Sequence, residues 1–486
     1  MSKDILNLEP KSLWRNFTKL NEVPRPSKKE ERVILFAKSF GESLNLETSV
    51  DEVGNILIKK PASAGMEDRT KLVLQSHLDM VHQKNNDTVF DFDKEGIKMF
   101  VDGDWVKANG TTLGADNGIG VATIMALLES TDIAHPAFEA LFTIDEETGM
   151  TGAFGLEPGF LEGKILLNLD TEDDDELTIG CAGGINVNAV KKYNEISTGA
   201  DHKTFYIKIN GLSGGHSGMD IIKGLGNANK LMNRLLFQLD QNLNLGIHSI
   251  NGGGLRNAIP RESEATITVE ADKLEVLKEV ANRFEKNVRA EHEVTDPEFK
   301  FELKEIEAVN KIADREFSSK LLRAIYAVPN GIYRMSSTVQ GMVQTSNNIA
   351  QVKLKSGKFE CLCLCRSSVD SEKEDEVRAI RSAFSTIGAT VSADGDYPGW
   401  APRAQSDIVD LMSSLYTELF EEKVNVMACH AGLECGIIGS NYPDMDMVSF
   451  GPNIRGAHSP DEKVQISSVQ KYWKFLIETL KRIPKA

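Results

Sequence analysis

Three short apolar runs in this chain each end on side chains that can bind a metal: Lys71-Leu-Val-Leu-Gln-Ser-His77-Leu-Asp79, Ala140-Leu-Phe-Thr-Ile-Asp-Glu146-Glu147 and Lys164-Ile-Leu-Leu-Asn-Leu-Asp170. Runs this short and this apolar fit strands buried on both faces of a sheet. In an open α/β sheet, ligands bind outside the carboxyl ends of the strands, so residues far apart in sequence converge on one crevice. The pattern predicts an α/β fold with its chemistry at the strand ends.

A length of 486 residues allows two or three domains, and 41% hydrophobic residues can fill ordinary cores. Lysine and arginine total 55 against 72 acidic residues, and the resulting net charge of −17 repels nucleic acid and anionic membranes. A small molecule or peptide is the better-matched substrate. The opening Met-Ser-Lys-Asp-Ile-Leu-Asn-Leu-Glu-Pro carries no basic start with an apolar core, and no apolar stretch is long enough to span a bilayer, so a cytoplasmic location is expected. Cys361, Cys363 and Cys365 alternate in an apolar run, which points to one buried face of a strand and not to a metal-binding pair or a disulfide framework.

Along the chain, helical spacing covers about 12–43, a strand follows at 55–60, a hairpin with an Asn109-Gly110 turn is expected within 104–114, and a buried helix over 117–128. After Gly184 the composition shifts to alternating strands and amphipathic helices. The division is expected at 1–184 and 398–486 for one domain and 185–397 for an inserted α+β domain, whose strand-helix-strand-strand order suggests two similar halves. The acidic run Thr171-Glu-Asp-Asp-Asp-Glu176 is most simply a solvated loop.

The individual motifs differ in weight. His77 and Asp79 point to the same side of an extended segment, so Asp79 can hold the second ring nitrogen of His77 and fix its tautomer for a metal. The triplet alone is also ordinary surface chemistry. Asp116-Asn117 before an apolar helix reads equally well as a helix cap. Adjacent Glu146 and Glu147 at a strand end repel each other unless a cation or proton intervenes, and one can bind metal while the other takes a proton from water. Gly114-Ala-Asp-Asn-Gly-Ile-Gly120 lacks the phosphate-loop lysine and the dinucleotide fingerprint, so nucleotide binding is not expected.

Taken together, His77-x-Asp79, Asp116-Asn117, Glu146-Glu147, Asp170 and Gly456-Ala-His458-Ser-Pro460 resemble the co-catalytic zinc peptidases that include aminoacylase, carboxypeptidase G and bacterial dipeptidases, in order and approximate spacing. Gly211-Leu-Ser-Gly-Gly-His216-Ser-Gly218 resembles the family's lid-histidine motif, Arg256-Asn257-Ala-Ile-Pro260 its substrate-facing asparagine segment, and Arg366 its carboxylate-gripping arginine. Within the family, 251–260 and His430-Ala-Gly-Leu-Glu434-Cys-Gly436 look most like the aminoacyl-histidine (Xaa-His) dipeptidases.

The resemblance implies a catalytic domain with a mixed sheet flanked by helices, plus the inserted α+β lid. It implies two zinc ions bridged by Asp116, one completed by His77 and Asp170 and the other by Glu147 and His458, with cobalt or manganese as substitutes. Glu146 is then the general base, Asp79 supports His77, and the peptide bond after Asp116 is expected to be cis. His216 is placed to stabilise the negative charge that grows on the scissile carbonyl, and Arg366 with Asn257 to bind the carboxylate of a dipeptide. Without the resemblance, Arg366 reads as a surface arginine and His216 as a turn residue. His82, His430 and Glu434 are further pocket candidates. The alternatives are an aminoacylase or tripeptidase on the same scaffold and a non-catalytic metal-binding regulatory protein. Both a monomer and a homodimer fit the sequence.

Overall fold

The computed structural model describes residues 4–486, which divide into two compact units. The first comprises the chain up to Gly180 together with Pro402–Ala428 and Leu433–Ala486; the second comprises Cys181–Ala401 with Cys429–Gly432. The division differs from the expected 184 and 398. Cys181 and Trp400 exchange both backbone hydrogen bonds at 2.9 Å, so the chain enters and leaves the second unit as a closed antiparallel pair. Cys429–Gly432 belongs to the same unit because the Ala182 amide donates to the carbonyls of Cys429 and Ala431.

The first unit is built on an eight-stranded mixed sheet in the order Glu47–Val50, Ile56–Lys60, Phe138–Thr143, Leu72–His77, Ile165–Asn168, Asp446–Ser449, Glu176–Cys181 and Asn425–Cys429. Its four central strands, from Phe138–Thr143 to Asp446–Ser449, run parallel. Leu72–His77, Phe138–Thr143 and Ile165–Asn168 are buried at every position. Helices such as Ala115–Glu129, Asp407–Phe420 and Ile466–Arg482 supply the apolar groups packed on the sheet, among them Val121, Met412 and Leu476.

Two local expectations change. The helical stretch over 12–43 is two helices, Lys11–Asn21 and Glu31–Ser43, because Pro24 and Pro26 cannot supply the amides a continuous helix needs. The hairpin is Met99–Asp102 with Trp105–Ala108, and its two-residue turn uses Gly103 at φ 60 rather than Asn109-Gly110. Glycine at the first turn position adopts that φ without steric cost, which decides the register.

The second unit carries one nine-stranded sheet covered by four long helices. The strands His202–Asn210, Gly246–Gly253, Ser263–Glu270 and Lys300–Ile306, with helices Ala228–Asn242 and Leu274–Glu291, form a strand-helix-strand-strand-helix-strand unit. Its sheet order is fourth, first, third, second. Gly183–Lys192, Val343–Lys355, Lys358–Ser367 and Thr390–Tyr397, with helices Arg315–Ala327 and Asp370–Ser385, repeat that order in mirror sequence across the sheet. The second strands of the two sets, Gly246–Gly253 and Val343–Lys355, pair antiparallel and close the sheet. Cys361, Cys363 and Cys365 face the core, each no more than 1% exposed.

One buried group in this core is electrostatically unmatched. Glu376 is 0% exposed, neither carboxylate oxygen has a hydrogen-bond partner, and burial pushes its carboxyl up to about 9. A folded-state value above the ordinary one means that folding takes up a proton between about pH 4.5 and pH 9. Stability is therefore fullest below that window and falls as pH rises through it. Glu376→Gln removes the proton uptake without changing volume. It should unfold at the wild-type midpoint near pH 5 and be more stable by at least ~1 kcal/mol at pH 8, since one unit of mismatch is worth about 1.4 kcal/mol. Urea unfolding at both pH values checks this, and equal pH slopes for the two proteins would contradict it.

Candidate metal centre

The parallel strands deliver their ligands to one edge because all four point the same way. His77 is the last residue of its strand, Glu146 and Glu147 open a short helix just after Phe138–Thr143, and Asp170 lies two residues beyond Ile165–Asn168. Asp145, at φ 54, turns the chain so that both glutamates leave the strand together. Asp116 sits at the irregular start of helix Ala115–Glu129, and its peptide bond to Asn117 is cis. His458, at φ 63, comes from the loop between Ile454–Arg455 and Lys463–Gln465.

These side chains converge in two groups that share Asp116. In the first, the His77 Nε2 lies 3.2 Å from Asp116 Oδ1 and 3.5 Å from Asp170 Oδ1. In the second, the His458 Nε2 lies 3.3 Å from Asp116 Oδ2 and 3.0 Å from Glu147 Oε2. Donors held about 2.1 Å from one tetrahedral ion stand about 3.4 Å apart, so both groups have the spacing of a metal-ligand shell. Buried oxygens of Glu147 and Asp170 lack hydrogen-bond partners, which is the condition a cation relieves. The donor set of imidazole nitrogen and carboxylate oxygen suits zinc and similar divalent ions.

Electrostatics favour the same reading. Burial pushes Asp170 up to about 6 against the opposing pull of His77, with the Asp116 and Glu147 charges adding to the rise. Burial likewise holds Glu146 well above the usual carboxylate range, opposed by His77 and reinforced by Asp170, Glu147 and Glu434. Burial works to lower His77, but Asp170, Asp116 and Asp79 outweigh it and raise the ring. His458 is lifted to about 11 by its bonds to Asp116 and Glu147. Glu146 is grouped with His77 and Glu147, apart from the group that Asp116, Glu147 and His458 form.

Asp79 ties the centre to the backbone. It stands 3.3 Å from the His77 Nδ1 and accepts the amides of Glu146 at 3.0 Å and Glu147 at 3.2 Å and the Ser27 hydroxyl at 2.8 Å. Burial pushes it upward, yet those donors hold it below the ordinary range. Glu30, Asp79 and Asp145 form a further carboxylate group, but Glu30 accepts the Lys28 and Asp145 amides and Asp145 accepts Thr148 and Thr151, so hydrogen bonds already satisfy it.

Arg25 and Glu172 escaped the sequence as supporting residues, whereas Glu434 was already a pocket candidate there. Arg25 is 1% exposed and donates to the carbonyls of Leu78, Asp79 and Gly114, pinning the segments on either side of the ligands. Its cue was an arginine between two prolines, which carries no metal signal. Glu434 accepts from Gln75 at 2.7 Å and Thr143 at 2.6 Å, beneath the ends of the His77 and Glu146 strands, and burial pushes it up to about 7. Glu172, expected on a solvated loop, is half-buried, and burial together with Asp116 and Asp170 raises it to about 8. His82 is exposed against Phe92 and joins none of the ligand groups.

In the second unit, His216 and Arg366 lie together. The His216 Nδ1 accepts the amides of Gly218 at 3.3 Å and Met219 at 3.1 Å, so the neutral ring carries its proton on Nε2. Burial and the Arg366 charge lower this ring to about 4, which keeps it neutral above that pH. Arg366 is 5% exposed, donates to the Tyr397 hydroxyl at 3.0 Å, and has its Nη2 3.5 Å from the His216 Nε2. His430 bonds Ser346 at 2.7 Å, and its carbonyl lies 2.0 Å from where a Cβ on Gly218 would stand, so only glycine fits there. Asn257 is exposed, and its carbonyl accepts the Ser217 amide at 2.7 Å.

Comparison with known proteins adds an independent line. The family model described as "Peptidase family M20/M25/M40" matches residues 73–482. The cytosol non-specific dipeptidase of Escherichia coli is 45% identical over 483 residues, 99% of each chain. The crystal structure of aminoacylhistidine dipeptidase from Vibrio alginolyticus superposes with a TM-score of 0.95 at 42% identity, covering 100% of this chain and 99% of that one. Aminopeptidase PepT from Bacillus cereus, at 16% identity and a TM-score of 0.58 over 98% of this chain and 99% of that one, shares the fold.

Divalent metal should therefore stabilise the folded protein. Zinc at 100 times its dissociation constant is expected to add about 2.7 kcal/mol, and chelation to remove it. Asp116→Asn should lose most of that increment in a thermal shift assay, and an undiminished shift would exclude Asp116 as a shared ligand.

Proposed function

We propose that this chain, which belongs to peptidase family M20/M25/M40, hydrolyses the peptide bond of unblocked dipeptides, Xaa-His among them. The family is metal-dependent, and the proposed complement is two zinc ions per chain: His77, Asp116 and Asp170 would hold one, and Asp116, Glu147 and His458 the other. The observation that carries the reading is the pair of His-carboxylate groups sharing Asp116 with Glu146 beside them. The relatives named as dipeptidases supply the substrate class. A cytoplasmic location follows the Escherichia coli relative, named for the cytosol, and among the described residues no helix is long and apolar enough to cross a membrane.

Bound divalent ions supply Lewis acidity and water activated near neutral pH. Glu146 takes the proton from the attacking water and hands it to the leaving amine, and burial, which holds its carboxyl above the usual carboxylate range, strengthens it as a base. Asp79 keeps His77 oriented through Nδ1 and holds the Glu146-Glu147 turn by its amides. His216 offers its Nε2 proton to the carbonyl oxygen as negative charge develops there. Arg366, fixed by Tyr397, binds the free carboxylate of the substrate, with Asn257 assisting, and this restricts cleavage to short peptides.

Glu146→Ala should retain its metal and lose about a thousandfold or more in kcat, the scale of a lost general base; near-normal turnover would defeat the mechanism. Arg366→Ala should raise KM for dipeptides about 10- to 100-fold, as expected for losing hydrogen bonds between charged groups, while Tyr397 and His216 stay in place. Parallel kinetics on Xaa-His dipeptides, N-acyl amino acids and tripeptides separate the dipeptidase from an aminoacylase or tripeptidase. Metal analysis with the same assay excludes a non-catalytic regulator, and solution mass distinguishes monomer from homodimer.

A further inference from the structure

Two loops that supply ligands to one proposed ion meet on a single buried side chain. Glu462 is 2% exposed, and its carboxylate accepts four consecutive backbone amides. Oε2 takes Leu113 at 2.7 Å and Gly114 at 2.9 Å; Oε1 takes Ala115 at 2.7 Å and Asp116 at 3.1 Å. Gly114 stands at φ 69, a left-handed bend that helps turn successive amides toward one point. On the other side of that bend, the Gly114 carbonyl accepts from Arg25 at 2.6 Å. The segment leading into Asp116 is thus gripped from both sides, by an anion on its amides and a cation on its carbonyl.

Glu462 also closes the loop that carries His458. It directly precedes Lys463–Gln465, which pairs with Ile454–Arg455, and its own amide donates to the Ser459 carbonyl at 3.1 Å. Fixing Glu462 therefore fixes one end of the His458 loop and the start of the Asp116 segment together. Their ligand atoms, His458 Nε2 and Asp116 Oδ2, lie 3.3 Å apart. His458 has little else to hold it, since its side chain is 57% exposed.

We propose that Glu462 is a positioning residue that sets Asp116 against His458 and so determines the affinity and geometry of the ion held by Asp116, Glu147 and His458. The inference rests on the metal assignment above. Each buried amide needs an acceptor. An amide nitrogen in place of one carboxylate oxygen would present a donor to two donors, forcing the Asp116 segment to shift relative to His458.

Glu462→Gln, which preserves volume, and Glu462→Ala are compared with the full-length wild type by titration with Co²⁺ against a chelator, by the visible absorption of the bound Co²⁺, and by kinetics in excess metal. The expected result is at least a tenfold loss of affinity for one of the two ions and an altered Co²⁺ spectrum. The kcat should fall at least tenfold, with KM for a dipeptide within twofold of wild type. A merely structural glutamate would lower the unfolding midpoint and leave the spectrum, the affinity and kcat of the folded fraction unchanged, and that result overturns the proposal. If Glu462→Ala does not fold, Glu462→Gln decides by the same criteria. Wild-type protein that binds no Co²⁺ would defeat the metal assignment itself, whereas wild-type binding with unchanged variants defeats only the role of Glu462.

Discussion

The structure of the first unit depends on a concentration of negative charge at the ends of the parallel strands of its mixed sheet. Asp116, Glu146, Glu147 and Asp170 are brought within a few ångströms of two histidines, mostly out of contact with water. Such a cluster is costly unless cations or protons neutralise it. The raised carboxyls of Glu146 and Asp170 express that cost, and the sharing of Asp116 by two groups shows how divalent charge would relieve it. The same crowding raises the proton affinity of Glu146, the property that its proposed role as base uses.

Crowded ligands keep their places because the backbone around them is held by other charges. Asp79 grips the amides at the Glu146-Glu147 turn, Arg25 the carbonyls beside Asp79 and ahead of Asp116, and Glu462 the amides leading into Asp116. Each is a buried ionic side chain spending its charge on peptide groups. A loop cross-linked in this way has few alternative conformations, so the ligand spacing is built in by the chain. Gln75, Thr143 and Asn168 extend the network one layer deeper, with Gln75 linking Asn168 to Glu434.

The second unit solves a different problem, presenting uncharged and cationic donors. Backbone amides fix the tautomer of His216, while Tyr397 orients Arg366 and the His430 carbonyl leaves room only for a glycine at 218. Two strand-helix-strand-strand-helix-strand sets joined at their second strands make the broad sheet that carries Arg366 and Tyr397, while His216 lies in the short pair of Gly215–His216 with Ala258–Ile259. Gly218 and His430 are far apart in sequence, and nothing in either segment alone announces their contact.

The chain by itself determined the strand-end pattern, because burial on both faces forces uninterrupted apolar runs and a ligand after each stands out against them. The convergence of His77, Glu146, Glu147 and Asp170 was legible for that reason; the roles proposed for Asp116, His458, His216, Asn257 and Arg366 rest on the order and spacing of a whole family. The tertiary structure alone decided the turn at Gly103, the break near Pro24 and the assignment of Cys429–Gly432 to the second unit. It also supplied the partners of Arg25, Glu434 and Glu462. Those residues act by hydrogen bonds to backbone groups or to side chains distant in sequence. A peptide amide or carbonyl looks the same at every position of a sequence, so only the folded chain shows which ones a buried charge will find.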